Sequence, residues 1–165
     1  MASTWSNAEL RLMATGENDN TWGDQTNYNL QRIDDMVNQV VGVTLSGTSL
    51  SLTFTNDPTS YTQENGRCKI LDFTGSPGGT ATVTFPNKKM WYYVLNNTGD
   101  ANNIICTTGS GTTYTVNAGR DAIIYSTGSN AIYNGINDLQ VNTVNGVDPS
   151  TSATAGFSIA MAVAL

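Results

Sequence analysis

The chain has 165 residues, of which only 12% are charged, and its formal net charge is −6. It therefore lacks the clustered Lys and Arg side chains that neutralise phosphates, and we expect no nucleic-acid partner. It also has no histidine, which removes Ser–His and Cys–His nucleophile pairs and the commonest transition-metal ligand, so we expect no enzyme, no cofactor and no metal site.

The first twenty residues predict an irregular arm rather than an element of the core. Trp5 and Leu12 are among its few apolar residues, and the turn-forming cluster 16–20 ends it. A chain terminus of this kind frays unless it docks on something. We therefore expect Trp5 and Leu12 to contact either the chain's own fold or a neighbouring subunit, and the second is preferred.

A helix is predicted over residues 22–41. Thr21 is a good N-cap, and Asp24 places a negative charge in the first turn. Apolar residues then repeat at spacings of three and four, and they are Leu30, Ile33, Val37 and Val40. Gly42 is expected to end the helix. This seam fits either self-association of the helix or packing on the chain's own β-domain, and both interpretations stay open.

After residue 42 the hydrophobic pattern changes to a period of two and predicts short strands. Apolar and polar residues alternate, as at Leu50, Leu52 and Phe54, so one face of each strand is expected to be buried. Turn-forming residues separate the runs at regular spacing, which is typical of a sandwich or barrel. The predicted strands lie at residues 43–45, 49–55, 67–73, 81–85, 90–96, 103–107, 112–116, 122–126 and 131–136.

The predicted fold is mainly β, with an N-terminal arm and one α-helix followed by an antiparallel β-sandwich or barrel-like domain. Residues 1–42 form the arm and anchoring helix, residues 43–137 the β-sandwich domain and residues 138–165 a C-terminal extension. Apolar residues from 157 to 165 alternate with small ones, which predicts a strand covered by the parent sheet or by another subunit.

Neither secretion nor membrane insertion is expected. The N-terminal stretch lacks the basic start and apolar core of a signal peptide. The apolar run 156–165 is about half as long as a membrane-spanning helix. Cys68 and Cys106 lie in separate β-like runs outside any C-x-x-C pair, so we expect them to be buried free thiols.

The strongest aromatic cluster is at residues 90–93, Met-Trp-Tyr-Tyr. In a strand, Trp91 and Tyr93 share one face and Tyr92 lies on the other, which favours a core strand. Exposed aromatic rings are also common in sugar sites. The alternative is therefore a surface on which Trp91, Tyr92 and Tyr114 stack against a host glycan.

One N-terminal motif resembles a known family. It consists of the segment 15–23, TGENDNTWG, followed by Asn27, Asn29, Leu30, Ile33 and Asp34. This motif is similar to the anchoring region of bacteriophage tail-fibre and other virion appendage structural proteins. The Thr/Gly-rich runs 83–88 and 94–97 resemble the β-domain that often accompanies it. The resemblance implies a homotrimer attached to the virion through its arm and helix and made in the host cytoplasm.

The leading hypothesis is a phage virion structural protein: a short tail fibre or fibre-anchoring adaptor that oligomerises and docks on tail or capsid proteins. A large ring fills a pocket and a neighbouring glycine lets another backbone come close, which suits Trp22 and Gly23 to docking. The alternative is that Trp22 packs the start of the helix against the β-domain. The expected contact residues are Trp5, Leu12, Trp22, Gly23, Leu30, Ile33, Val37 and Val40. The alternatives are a capsid decoration or cement protein and a carbohydrate-binding module of a host-recognition appendage.

Overall fold

The structure is a computed structural model, and it describes residues 2–136. Within that range the mainly β class is confirmed, with a short N-terminal strand pair and one helix. The elements are β1 (Thr4–Trp5), β2 (Arg11–Leu12), α1 (Trp22–Asn38), β3 (Val40–Leu45), β4 (Ser49–Ser51), β5 (Ile70–Gly75), β6 (Ala81–Thr84), β7 (Lys89–Asn96), β8 (Ile104–Thr107), β9 (Tyr114–Val116), β10 (Asp121–Thr127) and β11 (Ile132–Asn134). The predicted C-terminal extension lies outside the described residues.

Helix α1 begins at Trp22, as predicted, but it ends earlier than the sequence indicated. Its last residue is Asn38, and Val40 and Gly42 already belong to β3. The β-branched run around Gly42 suits a strand, and Gly42 pairs in register with Asp72 of β5. The prediction that Gly42 ends the helix, with Val40 as a helical seam position, is therefore wrong. Thr21 also makes no side-chain cap, since its hydroxyl donates back to the carbonyl of Asn18.

The nine predicted strands each overlap one of the strands β3 to β11, which form two sheets around a shared core. The first sheet has the order β11-β10-β7-β5-β3, and the second has the order β4-β6-β8-β9. From β3 to β8 the chain alternates between the two sheets. Successive strands within each sheet are therefore parallel, and the chain winds as a flattened coil.

The step from the second turn of this coil (β5 and β6) to the third (β7 and β8) has the same length in both sheets. Leu71 pairs with Val94 in one sheet, and Val83 pairs with Cys106 in the other, at the same separation along the sequence. The first turn is longer because a loop follows β4 and carries a single 3₁₀ turn, Asn65–Arg67. This loop supplies the contacts for α1 and for the arm.

The prediction that the strands are antiparallel is wrong for the pairings among β3 to β8, which are parallel within each sheet. The described part of the domain is mixed, since antiparallel pairing in its two sheets is confined to the strands after β8 and to their contacts with β7 and β8. The turns at Gly47 and Gly78 each connect strands of opposite sheets rather than neighbours in one sheet. The period-two pattern reports which face is buried and carries no information on direction.

The core lies between the two sheets and is closely packed. Phe73, Val83 and Tyr92 are fully buried, and the Phe85 and Tyr92 rings meet edge to face at 5.0 Å. The Tyr92 hydroxyl is satisfied because it donates to the carbonyl of Gly66 at 2.8 Å. The prediction of buried free thiols at residues 68 and 106 is confirmed.

Candidate interaction surface

Helix α1 turns its polar side inward and its apolar side toward solvent. Gln25, Arg32 and Asp35 are its buried residues, and the last two are only 1% and 2% exposed. The apolar side chains on the opposite side are 40–64% exposed. We call these four residues the helix stripe: Trp22, Leu30, Ile33 and Val37. An ordinary surface helix has the reverse orientation, with its apolar side against the core.

The buried side of α1 is held by hydrogen bonds to the loop that follows β4. The Arg32 guanidinium donates to the carbonyls of Pro58 at 3.3 Å and Ser60 at 2.5 Å. The Gln25 amide donates to the carbonyl of Thr59 at 3.4 Å. Burial lowers the pKa of Arg32, with a smaller effect from the nearby positive charge of Arg67. Directional polar contacts therefore fix the orientation of the helix.

Asp35 anchors the end of the same buried side. Its carboxylate accepts a hydrogen bond from the Tyr61 hydroxyl at 3.3 Å, and its carbonyl accepts one from the Lys69 amide at 3.3 Å. Burial raises the pKa of Asp35, since a desolvated carboxylate is unfavourable. The helix is thus tied to the start of β5 as well as to the preceding loop.

Arg67 links the arm to the same loop and is fully buried. Its Nε donates to Glu64 Oε2 at 2.6 Å, and its two terminal nitrogens donate to the carbonyls of Ala8 at 2.8 Å and Thr55 at 2.7 Å. The guanidinium carbon also lies 3.9 Å from the centroid of the Phe54 ring. One buried cation thereby joins the arm, the loop and the 3₁₀ turn.

Further contacts hold the arm along the domain. Glu9 accepts a hydrogen bond from the Lys88 ammonium at 2.6 Å. The Asn29 side chain pairs with the backbone of Arg11, accepting from its amide at 2.9 Å and donating to its carbonyl at 2.8 Å. Sequence analysis missed these polar contacts, and it also missed Arg32, Glu64 and Arg67. The one signal for these residues in the sequence was the small number of charged residues. In such a chain each charged residue has a larger structural role.

The outer face of the first sheet carries two apolar rows. One row across four strands pairs Val40 with Ile70, Ile70 with Tyr93, and Tyr93 with Ile123. A second row pairs Trp91 with Tyr125 and Tyr125 with Tyr133. Trp91, Tyr125 and Tyr133 are 38–49% exposed. We call these seven residues the sheet face: Val40, Ile70, Trp91, Tyr93, Ile123, Tyr125 and Tyr133.

Two charged groups beside the sheet face, at Lys69 and Asp121, are engaged inside the chain, as is the Tyr93 hydroxyl. The Lys69 ammonium lies 3.4 Å from the centroid of the Trp91 ring and donates to the Trp91 carbonyl at 3.2 Å. The Tyr93 hydroxyl donates to Asp121 Oδ2 at 2.9 Å, and this bond raises the pKa of Tyr93. Burial lowers the pKa of Lys69. The face therefore presents rings and aliphatic side chains with its charges already engaged.

No protein-family model, curated protein or solved structure matches this chain. None of the helices in residues 2–136 combines the length and hydropathy needed to cross a membrane. Over the same range, no group of three or more acidic or cysteine side chains is placed to hold a metal ion.

The structure brings half of the predicted contact residues together in the helix stripe. Val40 lies on the sheet face, and Leu12 is exposed on the arm. Trp5 is half-buried, with the Arg11 guanidinium 5.9 Å from its ring centroid. A Cβ added at Gly23 would meet nothing within 4 Å, so this glycine leaves open space beside the first turn of α1.

The three predicted glycan residues do not share a surface. Trp91 is exposed on the sheet face, whereas Tyr92 is fully buried in the core. Tyr114 packs against that core from the second sheet. A stacking platform of these three rings is therefore ruled out, and the rings that accompany Trp91 on the sheet face are Tyr93, Tyr125 and Tyr133.

The stability of the loop that holds α1 is expected to depend on pH through Glu64. Burial alone would raise its pKa, but hydrogen bonds from Thr55 and Arg67 and the charge of Arg67 outweigh burial, so its pKa lies below the ordinary value. Its contribution to stability is therefore complete above the unfolded pKa of about 4.3 and is lost as the pH falls below it. Asp35 acts in the opposite direction, because its pKa is raised.

A comparison with Glu64→Gln isolates this contribution from that of Asp35. Urea unfolding at a series of pH values should show the substitution costing more at pH 7 than at pH 3, since the contribution of the ionised carboxylate decreases once the pH falls below the unfolded pKa. Curves that stay parallel across the acidic range would contradict the proposed role of the Glu64 carboxylate.

Proposed function

We propose that this protein is a bacteriophage virion structural protein, a short tail fibre or fibre-anchoring adaptor that assembles as a homotrimer and docks on other virion proteins. The observation that carries the proposal is the inverted orientation of α1. Large apolar side chains in water are unfavourable, and a partner that covers them recovers about 25 cal/mol for each Å² of apolar surface removed from water. A contiguous exposed stripe of this kind marks an interaction site.

Self-association accounts for the spacing of the stripe. Leu30, Ile33 and Val37 follow one another at three and four residues, the spacing at which side chains of one helix fit between those of another. Identical helices can meet in this way around a symmetry axis. The mechanism of such a protein is burial and geometry rather than chemistry.

Docking on the virion is assigned to the arm and the start of α1. The contacts of Arg67 and Lys88 with the arm hold its backbone on the domain, so less conformational freedom is lost when it binds. Leu12 remains 53% exposed there. Trp22 is 64% exposed beside the open space at Gly23, an arrangement that suits a ring inserted into a partner's pocket.

The first test is the mass of the protein in solution. Wild-type protein is expected to be a trimer by light scattering, and Ile33→Glu is expected to weaken association by roughly 100-fold, because a charge buried at the interface without a partner costs about 3 kcal/mol. Gln31→Glu is the matched control, since Gln31 is exposed on α1 outside the stripe. It should remain a trimer, and circular dichroism should show that both variants are folded.

A wild-type protein that is monomeric at all concentrations and never copurifies with virions would overturn the proposal. The number of copies per particle then separates the two structural roles. A fibre or adaptor gives a small multiple of the tail symmetry, whereas a capsid decoration protein numbers on the order of hundreds.

A further inference from the structure

We infer that the sheet face forms the second half of the same interface, and that its occupant is a second copy of this chain. The inference rests on the proposed function, from which it takes self-association through α1. It identifies the second surface that each copy contributes to the interface. It also assigns the exposed aromatic rings to protein contact rather than to glycan binding.

The helix stripe and the sheet face lie on the same side of the domain. Val37 lines one shallow apolar groove together with Ile70, Trp91, Tyr93 and Ile123. Val40 lies two residues after the end of α1. It is exposed on β3 and pairs with Ile70 of β5. The two surfaces are therefore continuous, and a molecule that covers the end of the stripe also meets the sheet.

The stripe alone is too small to hold an oligomer. It covers about two heptads, whereas a stable coiled coil takes about three or four. A specific protein interface buries about 800 Å² on each partner, around 20–30 residues a side. The sheet face is the adjoining surface that can supply the missing area, since Val40 is 53% exposed and the rings of Trp91, Tyr125 and Tyr133 are 38–49% exposed.

The chemistry of the sheet face favours a protein surface over a sugar. A glycan needs free donors and acceptors for its hydroxyls, but the Lys69 ammonium and the Asp121 carboxylate are already engaged with Trp91 and Tyr93. Aliphatic residues of the first row lie among the rings and offer no hydrogen bonds. Aromatic residues with few charges are typical of the buried centre of a protein interface.

The rings are also ordered before any partner arrives. Tyr125 and Tyr133 stack with their centroids 5.5 Å apart and their planes 29° apart. Trp91 is held by the ammonium of Lys69. Rings that are already fixed lose little side-chain entropy on binding, which is the condition under which Trp and Tyr contribute most to an interface.

The test compares Tyr125→Glu with Thr44→Glu in the full chain. Tyr125 lies in the second row of the sheet face. Thr44 is exposed on β3, on the same outer side of the first sheet, but it is not part of the sheet face. Sedimentation equilibrium should show Tyr125→Glu weakening trimer formation by at least about tenfold, while Thr44→Glu leaves it unchanged. Both variants should keep the wild-type circular dichroism spectrum.

A labelling experiment supports the test should Tyr125→Glu fail to fold. In Tyr125→Cys, the introduced thiol should react with maleimide at least about tenfold more slowly in the trimer than in the dissociated Ile33→Glu background. Both natural cysteines are buried and serve as the internal blank. Equal and fast reaction in both states would overturn the inference, as would a thiol that is blocked in the monomer, since the chain itself would then cover the face.

The outcomes also separate this inference from the proposed function. If Ile33→Glu dissociates the trimer and Tyr125→Glu does not, the sheet face is outside the interface while the proposed function stands. If that trimer binds a glycan array and Tyr125→Glu abolishes the binding, the face belongs to a carbohydrate. A wild-type monomer removes the self-association on which both depend.

Discussion

Replacing Arg67 with methionine is expected to lower the free energy of unfolding by about 3–5 kcal/mol, the usual cost of removing one partner from a buried ion pair. The substitution leaves Glu64, which is 7% exposed, with a charge but without its cation. It also leaves the carbonyls of Ala8 and Thr55 without their donor. Urea unfolding followed by circular dichroism measures the loss directly.

The matched control for this experiment is Arg120→Met. It makes the same chemical change at an exposed arginine, and its effect should stay within about 0.5 kcal/mol. The double variant Arg67→Met with Glu64→Gln should recover part of the loss, because it no longer buries an unpaired carboxylate. A cost below about 1 kcal/mol for Arg67→Met would show that the arm and the loop do not depend on this cation.

Several elements could be predicted because their causes are local in the sequence. Alternation around Leu52 and Val83 reports burial on one face of a strand, and both residues are buried in the core. The start of α1 at Trp22 follows from the turn cluster that precedes it. The end of α1 depends instead on β3 pairing with β5, where Gly42 lies opposite Asp72, and such a pairing has no local signature.

The orientation of α1 could not be predicted for a similar reason. The apolar stripe was visible in the sequence, but an apolar stripe ordinarily packs inward. It faces outward here because Arg32 and Asp35 find partners in a loop that follows later in the chain. The arm contacts are more distant still, since Arg67 meets Ala8 and Lys88 meets Glu9.

The polar anchoring of α1 has a consequence for assembly. An apolar contact between α1 and its own domain would compete with any partner for the same side chains, whereas the contacts of Arg32 and Gln25 leave the stripe free. Hydrogen bonds are also directional, so they hold the stripe in a fixed position relative to the sheets. A fixed surface is what a structural protein needs in order to assemble with one geometry.

Replacing Gly111 with alanine is expected to lower the free energy of unfolding by about 3 kcal/mol or more. A Cβ at this position would lie 1.8 Å from the carbonyl oxygen of Asn130, so one of two backbones has to move. Close by, the amide of Ile132 donates to the carbonyl of Thr112 at 2.8 Å and links the loop before β9 to β11. A displaced loop loses this bond as well, and thermal or urea unfolding measures the combined cost.

Gly78→Ala separates the clash from the backbone strain. Gly78 and Gly111 share a φ of +75°, but a Cβ at Gly78 meets nothing within 4 Å. The control therefore carries only the cost of a left-handed alanine, about 1–2 kcal/mol. The difference between the two variants, at least about 1 kcal/mol, measures how tightly the turns before β9 and β11 are packed. Equal losses would mean that the loop at Gly111 moves aside freely. The turns before β9 and β11 would then have no fixed contact with each other.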